Sequence, residues 1–339
     1  MQYAALTLLL YGAAIAQNVW TPQVSGTTNF LVDVVWADTQ FIAVGWGGTI
    51  LTSPDGATWT PQNSGTTRDL LSVAKGGNQL LVVGDGVTLR STDGITWSSA
   101  LVVTQTAALT SVVWDGFQFY ALRRGSADIF SLSAGRWQGG PISAPAPLIH
   151  LTYEGRFLAV GNSGGILSSV NGITWTPHVS GTTDPLTGIT WTGAQYVAVS
   201  SGQWVRTSPD LTTWTGQYSG TSLQAVVSVG DLLIAVGGGG AVRISQDGIN
   251  WLARTSGTSN SLSTVRIGNS LLIAVGDLGT IITSPAPTFI YLPKMKRRGA
   301  GHSQGLVDVR GRHHTLLCHP SRCFTPPSHP IMGIWASPQ

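Results

Sequence analysis

The sequence predicts an all-β fold class, and its composition, its glycine content and a long repeat support that prediction. Charged residues make up only 10% of the 339 residues, whereas 43 are glycine, which favours short strands and tight turns over helices. A hydrophobic content of 42% argues for a packed core and against intrinsic disorder. Tryptophans recur about every 38 residues, at positions 20, 59, 97, 137, 175, 214 and 251.

Each copy of this repeat contains four short segments with strand-like composition. In the first complete copy they are residues 31–36, 40–44, 49–52 and 58–61, separated by turns rich in glycine and aspartate. Four strands in about 38 residues, without a helical segment, are typical of a β-propeller blade. A parallel β-solenoid is the alternative, but its coils are usually shorter. Seven copies therefore predict a seven-bladed β-propeller with four-stranded antiparallel blades.

In most copies the third and fourth strands are joined by variants of the sequence Ser-x-Asp-Gly-x-Thr-Trp. Its short carboxylate or amide can accept hydrogen bonds from nearby backbone N–H groups, and its glycine supplies a left-handed turn. We expect a structural role for the acidic or amide residues and for the closing tryptophans of these turns, which are Asp55, Asp93, Asn171, Asp210 and Asp247 with Trp59, Trp97, Trp175, Trp214 and Trp251.

These turns resemble the Asp-box (BNR-type) repeats of bacterial propellers. The wider repeat, with Ser-Gly-Thr-Thr at residues 25–28, 64–67 and 180–183, is similar to the photosystem II assembly and stability factor group. The resemblance covers residues 18–292 and implies a propeller that acts as a scaffold for other proteins. It also implies that the Asp-boxes are structural and not catalytic.

The two ends of the chain differ in composition from the repeats. Residues 1–16 are nearly all apolar or small and end in Ala14-Ile15-Ala16, which predicts a cleaved signal peptide and an exported protein, periplasmic or extracellular. A buried N-terminal strand is the alternative. Residues 17–292 form the predicted propeller. Residues 293–339 are basic and rich in proline and histidine, which predicts a disordered tail.

The tail also holds the excess basic charge and both cysteines. It has seven basic residues and one acid, so the remainder is mildly acidic although the whole chain carries +3, and we expect no nucleic-acid partner. Cys318, Cys323 and the nearby histidines have zinc-binding chemistry, but their spacing fits no regular metal motif. We therefore predict no metal site. A disulfide between the two cysteines is an open alternative in an oxidising compartment.

The first and last repeats predict how the ring closes. Residues 20–23 match the fourth strand of a blade (compare 59–62), but no first three strands precede them. The last copy supplies three strands between residues 262 and 283 and then loses the Asp-Gly turn. Because an open ring exposes unpaired strand edges, we expect the N-terminal segment to pair with residues 280–283 as the outer strand of blade seven. The rival arrangement places residues 289–292 there.

The acidic residues argue against an enzyme. Sialidases carry similar hairpins, and resemblance to them would require an arginine triad, a tyrosine paired with a glutamate, and an acid aspartate. The only glutamate of the sequence, Glu154, falls in a turn between first and second strands, where another copy has Asp115. We predict no catalytic residues and no cofactor, with hydrolysis of a glycoside by paired aspartates as the alternative.

Irregular positions between the second and third strands are the best candidates for binding. Most copies have Val-Gly-x-x-Gly or a close variant there, whereas the third copy has Arg123 and Arg124. Trp46 and Trp204 fall in the corresponding loops of two other copies, and Arg68 follows a Ser-Gly-Thr-Thr. Arginine and tryptophan are the usual anchors of binding surfaces. The alternative is that the third blade has drifted and that both indoles fold over their own hairpins.

Together these features predict an exported, monomeric, non-enzymatic propeller without a membrane span. We expect it to act as a protein-binding or assembly scaffold for an unidentified protein partner. A propeller that binds or cleaves a glycan at the same face is the alternative.

Overall fold

The computed structural model describes residues 19–99 and 108–287, together with four short strands between residues 305 and 324. The chain divides into two units, residues 1–289 and 290–339. The predicted signal peptide and most of the predicted tail lie outside the described residues. In the described part of the chain, no helix is long and apolar enough to cross a membrane.

The first unit is built from short strands in a regular order. It begins with β1 (Thr21–Gln23), which precedes the first complete blade. Blades 1 to 3 consist of β2 (Leu31–Trp36), β3 (Phe41–Gly45), β4 (Thr49–Ser53) and β5 (Thr60–Gln62); β6 (Leu70–Gly76), β7 (Gln79–Gly84), β8 (Thr88–Ser91) and β9 (Ser98–Ser99); and β10 (Leu109–Trp114), β11 (Phe119–Arg123), β12 (Asp128–Ser133) and β13 (Arg136–Pro141).

The next three blades repeat the pattern, and the last one has three strands of its own. They consist of β14 (Leu148–Tyr153), β15 (Phe157–Gly161), β16 (Gly165–Ser169) and β17 (Thr176–Val179); β18 (Leu186–Trp191), β19 (Tyr196–Ser200), β20 (Trp204–Ser208) and β21 (Thr215–Tyr218); β22 (Leu223–Val229), β23 (Leu232–Gly237), β24 (Ala241–Ser245) and β25 (Leu252–Arg254); and β26 (Leu262–Gly268), β27 (Leu271–Gly276) and β28 (Ile281–Pro285).

Each blade is a four-stranded antiparallel sheet, which confirms the predicted seven-bladed propeller. In blades 1 to 6 the strands lie side by side in chain order. The first strand of each blade contacts the first strand of the next, and β26 contacts β2. The first strands therefore form a closed ring that surrounds the central channel of the propeller.

The core consists of apolar layers between neighbouring blades. Alternate residues of a strand point to opposite faces of its sheet, so Phe41 and Ala43 pack against blade 7 whereas Ile42 and Val44 pack against blade 2. Both faces of a blade are buried, which explains why the second strands are unbroken apolar runs. Within the described residues there are seven such layers, and a tryptophan of the repeat packs in each.

Strand β1 closes the ring, as the sequence predicts. Its three residues pair antiparallel with Ile281–Thr283 of β28, and the Gln23 amide donates a 2.8 Å hydrogen bond to the Thr283 hydroxyl. Trp20 is only 5% exposed and packs in the layer between blades 6 and 7. The N-terminal segment is therefore the outer strand of blade 7. Residues 289–292, which the rival arrangement uses, lie outside the described residues.

A second contact recurs between the loop after strand two and the Ser-Gly-Thr turn after strand four. In blade 1 a short 3-10 turn (Trp46–Gly48) ends at Gly48, which has a φ of 74°. A Cβ at Gly48 would collide with the Thr66 carbonyl oxygen, and we call this close approach the glycine lock. The same contact joins Gly164 to Thr182, Gly240 to Thr258 and Gly279 to Thr27.

The glycine lock gives independent support for ring closure. In blade 7 the carbonyl that Gly279 approaches belongs to Thr27, which follows β1 and not β28. The N-terminal segment therefore makes both contacts that an outer strand and its following turn make in blades 1, 4 and 6. Blades 2, 3 and 5 have no 3-10 turn after strand two among their described residues.

Blade 3 ends in a different hairpin from the other blades. Its strands β12 and β13 are joined by Ala134 and Gly135, which both have positive φ (48° and 72°), as in the type I′ turns of tight β-hairpins. Trp137 in β13 donates a hydrogen bond from its indole N–H to the Thr88 hydroxyl of blade 2 (3.3 Å). The altered sequence of this turn therefore changes the type of hairpin, but blade 3 keeps its outer strand.

The second unit contains two short antiparallel ladders. β29 (Gly305–Val307) pairs with β30 (His313–Thr315), and β31 (Leu317–His319) pairs with β32 (Arg322–Phe324). In the register of the second ladder, Cys318 lies opposite Cys323.

Candidate binding face

The loops after strand two and the connections between blades meet at one face of the ring, which we call the loop face. In every blade, the residue after strand two donates its N–H to the carbonyl of the residue before strand one. The pairs are Trp46–Phe30, Asp85–Asp69, Arg124–Ala108, Asn162–Pro147, Ser201–Pro185, Gly238–Ser222 and Asp277–Ser261. These bonds bring Trp46, Arg124 and the segment that holds Arg68 to the same face.

Trp46 is a large exposed side chain on the loop face of blade 1. It is 49% exposed, and its ring packs edge-on against Phe30 with centroids 5.2 Å apart. The next residue, Gly47, donates its N–H to the Asp69 carboxylate at 2.9 Å. The indole is therefore held by its own blade while much of it remains open to solvent.

Arg68 connects the loop face of blade 1 to that of blade 2. It is exposed and lies in the connection between these blades, next to the Asp69 that binds the Trp46 turn. Its guanidinium donates a 3.0 Å hydrogen bond to the Asp85 carbonyl in the loop of blade 2. Trp46 and Arg68 therefore belong to one continuous surface across two blades.

The two arginines of blade 3 have different environments. Arg123 is the last residue of β11, and its guanidinium forms a 3.2 Å ion pair with Asp128 at the start of β12. Arg124 follows the strand and is exposed, and its backbone N–H bonds to Ala108. Arg123 thus braces its own loop, whereas the side chain of Arg124 is directed to the surroundings.

Trp204 is placed differently from the sequence expectation. It is the first residue of β20 and not a loop residue, and its N–H bonds to the Ser200 hydroxyl at 3.2 Å. The ring packs against Tyr218 of the same blade with centroids 5.7 Å apart. Trp204 therefore lies at the loop-face end of blade 5, directly after the turn between β19 and β20, and on a different blade from Trp46 and Arg68.

Sequence reasoning missed the arginine beside Trp204. The guanidinium carbon of Arg206 lies 5.8 Å from the centroid of the Trp204 ring. The repeat contains a signal at the position two residues before the serine of the outer turn. Blades 1 and 4 have the buried residues Leu51 and Leu167 there. Arg206 breaks this apolar pattern, as does Arg243 at the equivalent position of blade 6.

The Asp-Gly turns lie at the opposite end of the strands, where they organise their own backbone. In blade 1 the Asp55 carboxylate accepts hydrogen bonds from the N–H groups of Ala57 (2.9 Å) and Thr58 (2.8 Å). The Trp59 indole donates to the Gly56 carbonyl at 3.0 Å. The same bonds occur at Asp93, Asn171, Asp210 and Asp247 and at Trp97, Trp175, Trp214 and Trp251.

Backbone hydrogen bonds change the acidity of these turns. The N–H groups of Thr96 and Ile95 lower the pKa of Asp93 to about 2, because they stabilise the ionised carboxylate. In the Asp247 turn, burial opposes ionisation, but the hydrogen bonds from Asn250 and Ile249 prevail and lower the pKa to about 2. These carboxylates are charged at neutral pH and are occupied by their own turns.

The inner strands carry an ion pair that the sequence did not indicate. Arg266 of β26 lies 3.3 Å from Asp33 of β2. Asp33 also accepts hydrogen bonds from the Ser72 hydroxyl (2.9 Å) and the Val73 N–H (3.2 Å) of blade 2. On β14, burial and the positive charge of Arg266 lower the pKa of His150 to about 3. The Asp33 carboxylate thus links blades 7, 1 and 2.

Glu154 fastens two blades together. It lies in the turn after β14, as predicted, but its carboxylate reaches blade 5. One oxygen accepts a hydrogen bond from the Thr190 hydroxyl (3.0 Å) and the other from the Trp191 N–H (2.7 Å). This glutamate is engaged in the structure of the ring. Among the described residues, no group of three or more His, Cys, Asp or Glu side chains is placed to hold a metal ion.

Comparison with solved structures supports the propeller fold. YCF48 bound to D1 peptide is 20% identical, with a TM-score of 0.67 over 79% of this chain and 97% of that chain. YCF48 from Cyanidioschyzon merolae is 18% identical, with a TM-score of 0.64 over 78% of this chain and 98% of that chain. No protein-family model and no curated protein sequence matches the chain.

Other propellers are also similar in structure. The WD40 β-propeller domain of Doa1 is 13% identical, with a TM-score of 0.66 over 78% of this chain and 97% of that chain. A catalytically inactive virginiamycin B lyase from Staphylococcus aureus with quinupristin is 8% identical, with a TM-score of 0.70 over 79% of this chain and 99% of that chain. At these identities the likeness establishes the class, a seven-bladed β-propeller, and not a reaction or a ligand.

Proposed function

We propose that this protein is a non-enzymatic propeller that binds a partner protein through the loop face of blades 1 to 3. The observation that carries the proposal is the side chain of Arg124. It is exposed on the loop face, and among the described residues its guanidinium has no hydrogen-bond or ion-pair partner. Its planar fork of N–H donors suits the carboxylates of a partner.

The neighbouring blades add the other features of a binding surface. Trp46 and Arg68 form a continuous exposed surface on blades 1 and 2, and tryptophan and arginine are enriched among the residues that dominate binding energy. A similar propeller has been solved with a bound peptide. The resemblance of the repeat to the photosystem II assembly and stability factor group also supports a protein partner. Export remains a prediction from residues 1–16.

The environments of the acidic residues favour binding over catalysis. The aspartates of the outer turns bond to backbone N–H groups, Asp33 is paired with Arg266, and both oxygens of Glu154 are bonded to blade 5. A general acid or nucleophile needs a carboxyl group that can reach the substrate. The similarity to a lyase is one of fold, because one fold hosts many functions.

A charge reversal on the loop face tests the proposal. The full-length protein and its Arg124→Glu variant would be incubated with an extract of the cells that produce the protein, and the co-purified partner would be quantified by mass spectrometry. We expect the variant to bind at least about tenfold less of the partner than the unmodified protein. Its thermal midpoint should be unchanged, because Arg124 is exposed and substitutions at such positions usually change stability by less than about 0.5 kcal/mol.

The matched control is Arg136→Glu, which reverses the charge of another exposed arginine at the opposite end of blade 3. It should retain the partner. Equal losses in both variants would show a general charge effect and contradict the loop face as the site. Retention of the partner by a Trp46→Ala, Arg124→Glu double variant would contradict it as well. Turnover of a polysaccharide by the purified protein would contradict the absence of enzymatic activity.

A further inference from the structure

Blade 5 carries a second cluster of exposed side chains, away from the surface of blades 1 to 3. In the antiparallel pair of β20 and β21, Trp204 lies opposite Tyr218 and Arg206 lies opposite Gly216. Since residues two apart in a strand point to the same face, these four positions share one face of the ladder. We call Trp204, Arg206 and Tyr218 the blade 5 platform.

The guanidinium of the platform is unusually short of partners. Among the described residues, the side chain of Arg206 makes no hydrogen bond or ion pair, and its Nε is buried without a hydrogen-bond partner. Its electrostatic contact is the face of Trp204, 5.8 Å away. A buried donor without an acceptor is unfavourable by about 1–3 kcal/mol, and each such group in a native protein calls for an explanation.

The side chain that Arg206 replaces makes this more informative. The equivalent residues Leu51 and Leu167 are buried and contribute to the layers between blades. In blade 5 the outer strand has Gly216 where blades 1 and 4 have Pro61 and Pro177. A Cβ at Gly216 would come within 2.7 Å of the Arg206 Nη1. Both changes together therefore make room for a guanidinium where a leucine would pack.

The aromatic part of the platform is exposed and held in place. Trp204 is 39% and Tyr218 is 64% exposed, and their planes are inclined at 70°. The Tyr218 hydroxyl donates a 2.8 Å hydrogen bond to the Gln203 side chain, and Gln203 has a left-handed φ of 70°, which is uncommon for a residue other than glycine. Exposed rings with polar groups at their edges are suited to the alternating C–H and hydroxyl groups of a sugar ring.

We propose that the blade 5 platform binds a uronic acid residue of an acidic polysaccharide. The C–H face of the pyranose ring stacks on Tyr218, the more exposed of the two inclined rings, its edge contacts Trp204, and the carboxylate pairs with the guanidinium of Arg206. A neutral sugar would use the rings alone, whereas the carboxylate of a uronate would also pair with the terminal N–H groups of Arg206, which are not buried as its Nε is. This site is independent of the protein-binding surface proposed for blades 1 to 3, so each can fail without the other.

Binding to carboxylated polysaccharides tests this proposal. The full-length protein would be titrated with polygalacturonate, alginate and hyaluronan, and with dextran as the neutral polymer, by isothermal titration calorimetry. We expect at least one carboxylated polymer to bind and dextran to bind at least about tenfold more weakly. The variant Arg206→Leu, which restores the leucine of blades 1 and 4, should weaken the acidic polymer about tenfold and leave dextran unchanged.

Further variants separate the roles of the side chains. Trp204→Ala should weaken the binding of every polymer that binds, whereas Trp46→Ala on blade 1 should weaken the binding of none. The proposal is overturned if none of the three carboxylated polymers binds, or if binding is unchanged in both Arg206→Leu and Trp204→Ala. It is also overturned if poly-glutamate competes equally well and loses binding in the same variants, since the platform would then take an acidic peptide.

Discussion

Blades 1, 4, 6 and 7 differ from blades 2, 3 and 5 in how their loops are fastened. In the first group a 3-10 turn after strand two ends at a glycine that packs on the Ser-Gly-Thr turn of the same blade. In the second group, the described residues contain no such turn. The unpaired arginines of both proposed sites, Arg124 and Arg206, lie in the second group. We call blades 1, 4, 6 and 7 the regular blades and blades 2, 3 and 5 the irregular blades, so both arginines lie in blades without the 3-10 turn that fastens the loop.

Trp46 belongs to a proposed site although it lies in a regular blade. It begins the 3-10 turn of a regular blade, yet its indole is half-exposed. The equivalent first residues of the other turns are Asn162, Gly238 and Asp277. The glycine lock constrains the third residue of the turn and its backbone, so the first side chain can vary without disturbing the fold.

The largest effect is expected from removing the strand that completes the regular group. Deletion of residues 1–23 takes away β1 and Trp20, which leaves the edge of β28 unpaired and opens the layer between blades 6 and 7. We expect the loss of cooperative unfolding in urea, since truncation of a buried tryptophan to alanine alone destabilises a domain by about 3–5 kcal/mol.

Deletion of residues 1–18 is the matched control, because it keeps β1 in place. Its urea midpoint should equal that of a chain that begins at residue 17. If the longer deletion has that midpoint as well, the N-terminal strand does not close the ring.

The next effect tests the glycine lock within a single turn. Gly240→Ala places a Cβ against the Thr258 carbonyl, whereas nothing lies within 4 Å of a Cβ at the neighbouring Gly239. Both residues have a left-handed φ (70° and 63°), so both variants carry the strain of about 1–2 kcal/mol for a non-glycine residue. The collision should add about 1–3 kcal/mol to Gly240→Ala alone, measured as the free energy of unfolding in urea. Equal losses in the two variants would refute the lock.

A smaller loss of stability is expected from substitutions of Asp33 on the wall of the channel and of Asp128 in the loop of blade 3. Asp33→Ala leaves Arg266 and the N–H and O–H donors of blade 2 without their acceptor, which should destabilise the protein by about 1–3 kcal/mol. Asp128→Ala breaks the more exposed pair with Arg123 and should lower the stability by less than about 1 kcal/mol. Urea unfolding at pH 7 measures both variants, and the reverse order would contradict the assignment of Asp33 to the linkage of three blades.

The last effect is a dependence of stability on pH. The pKa of His150 is about 3 in the folded protein and near 6.5 when unfolded, so the unfolded chain takes up the proton first. The free energy of unfolding should therefore fall as the pH drops from about 6.5 towards 3. Burial also lowers the pKa of His178, which adds to the same trend.

The variant His150→Ser isolates the contribution of the inner strand, because blades 2 and 3 have Ser72 and Ser111 at this position. Between pH 7 and pH 5 it should lose less stability than the natural chain. In this range the turn aspartates contribute nothing to the trend, since their lowered pKa values act between about 3.8 and 2. An identical loss in both proteins would show that His150 is not shielded from protonation by the fold.

The sequence predicted the parts of the fold that are repeated. The Trp-Thr-Pro-Gln of residues 20–23 recurs at 59–62, and this identity was enough to predict ring closure. The replacement of the Asp-Gly turn by a tight hairpin in blade 3 was not predicted, because Ala134 and Gly135 have no counterparts in the other copies of the repeat. The link between Asp33 and Arg266 was also missed, since the two residues are distant in sequence and meet only when the ring closes.

The candidate sites were predictable only in part, for a related reason. Trp46, Arg68 and Arg124 stand out as departures from the repeat, and their common face follows from strand order. The ion pair that occupies Arg123 and the neighbours of Trp204 depend on side-chain contacts across strands. The break in the apolar pattern at Arg206 was visible, but its relation to Tyr218 requires the register of β20 and β21.

The most direct test of the central claim is photo-cross-linking from equivalent positions on an irregular and a regular blade. Arg124 of blade 3 and Asp277 of blade 7 both follow strand two and bond to the residue before strand one. A photo-reactive amino acid would be placed at each position in the full-length protein, and the cross-linked partner quantified by mass spectrometry. The partner is expected to cross-link at position 124 and not at 277. Equal cross-linking at both positions, or cross-linking at 277 alone, would contradict the assignment of binding to the loop face of blades 1 to 3.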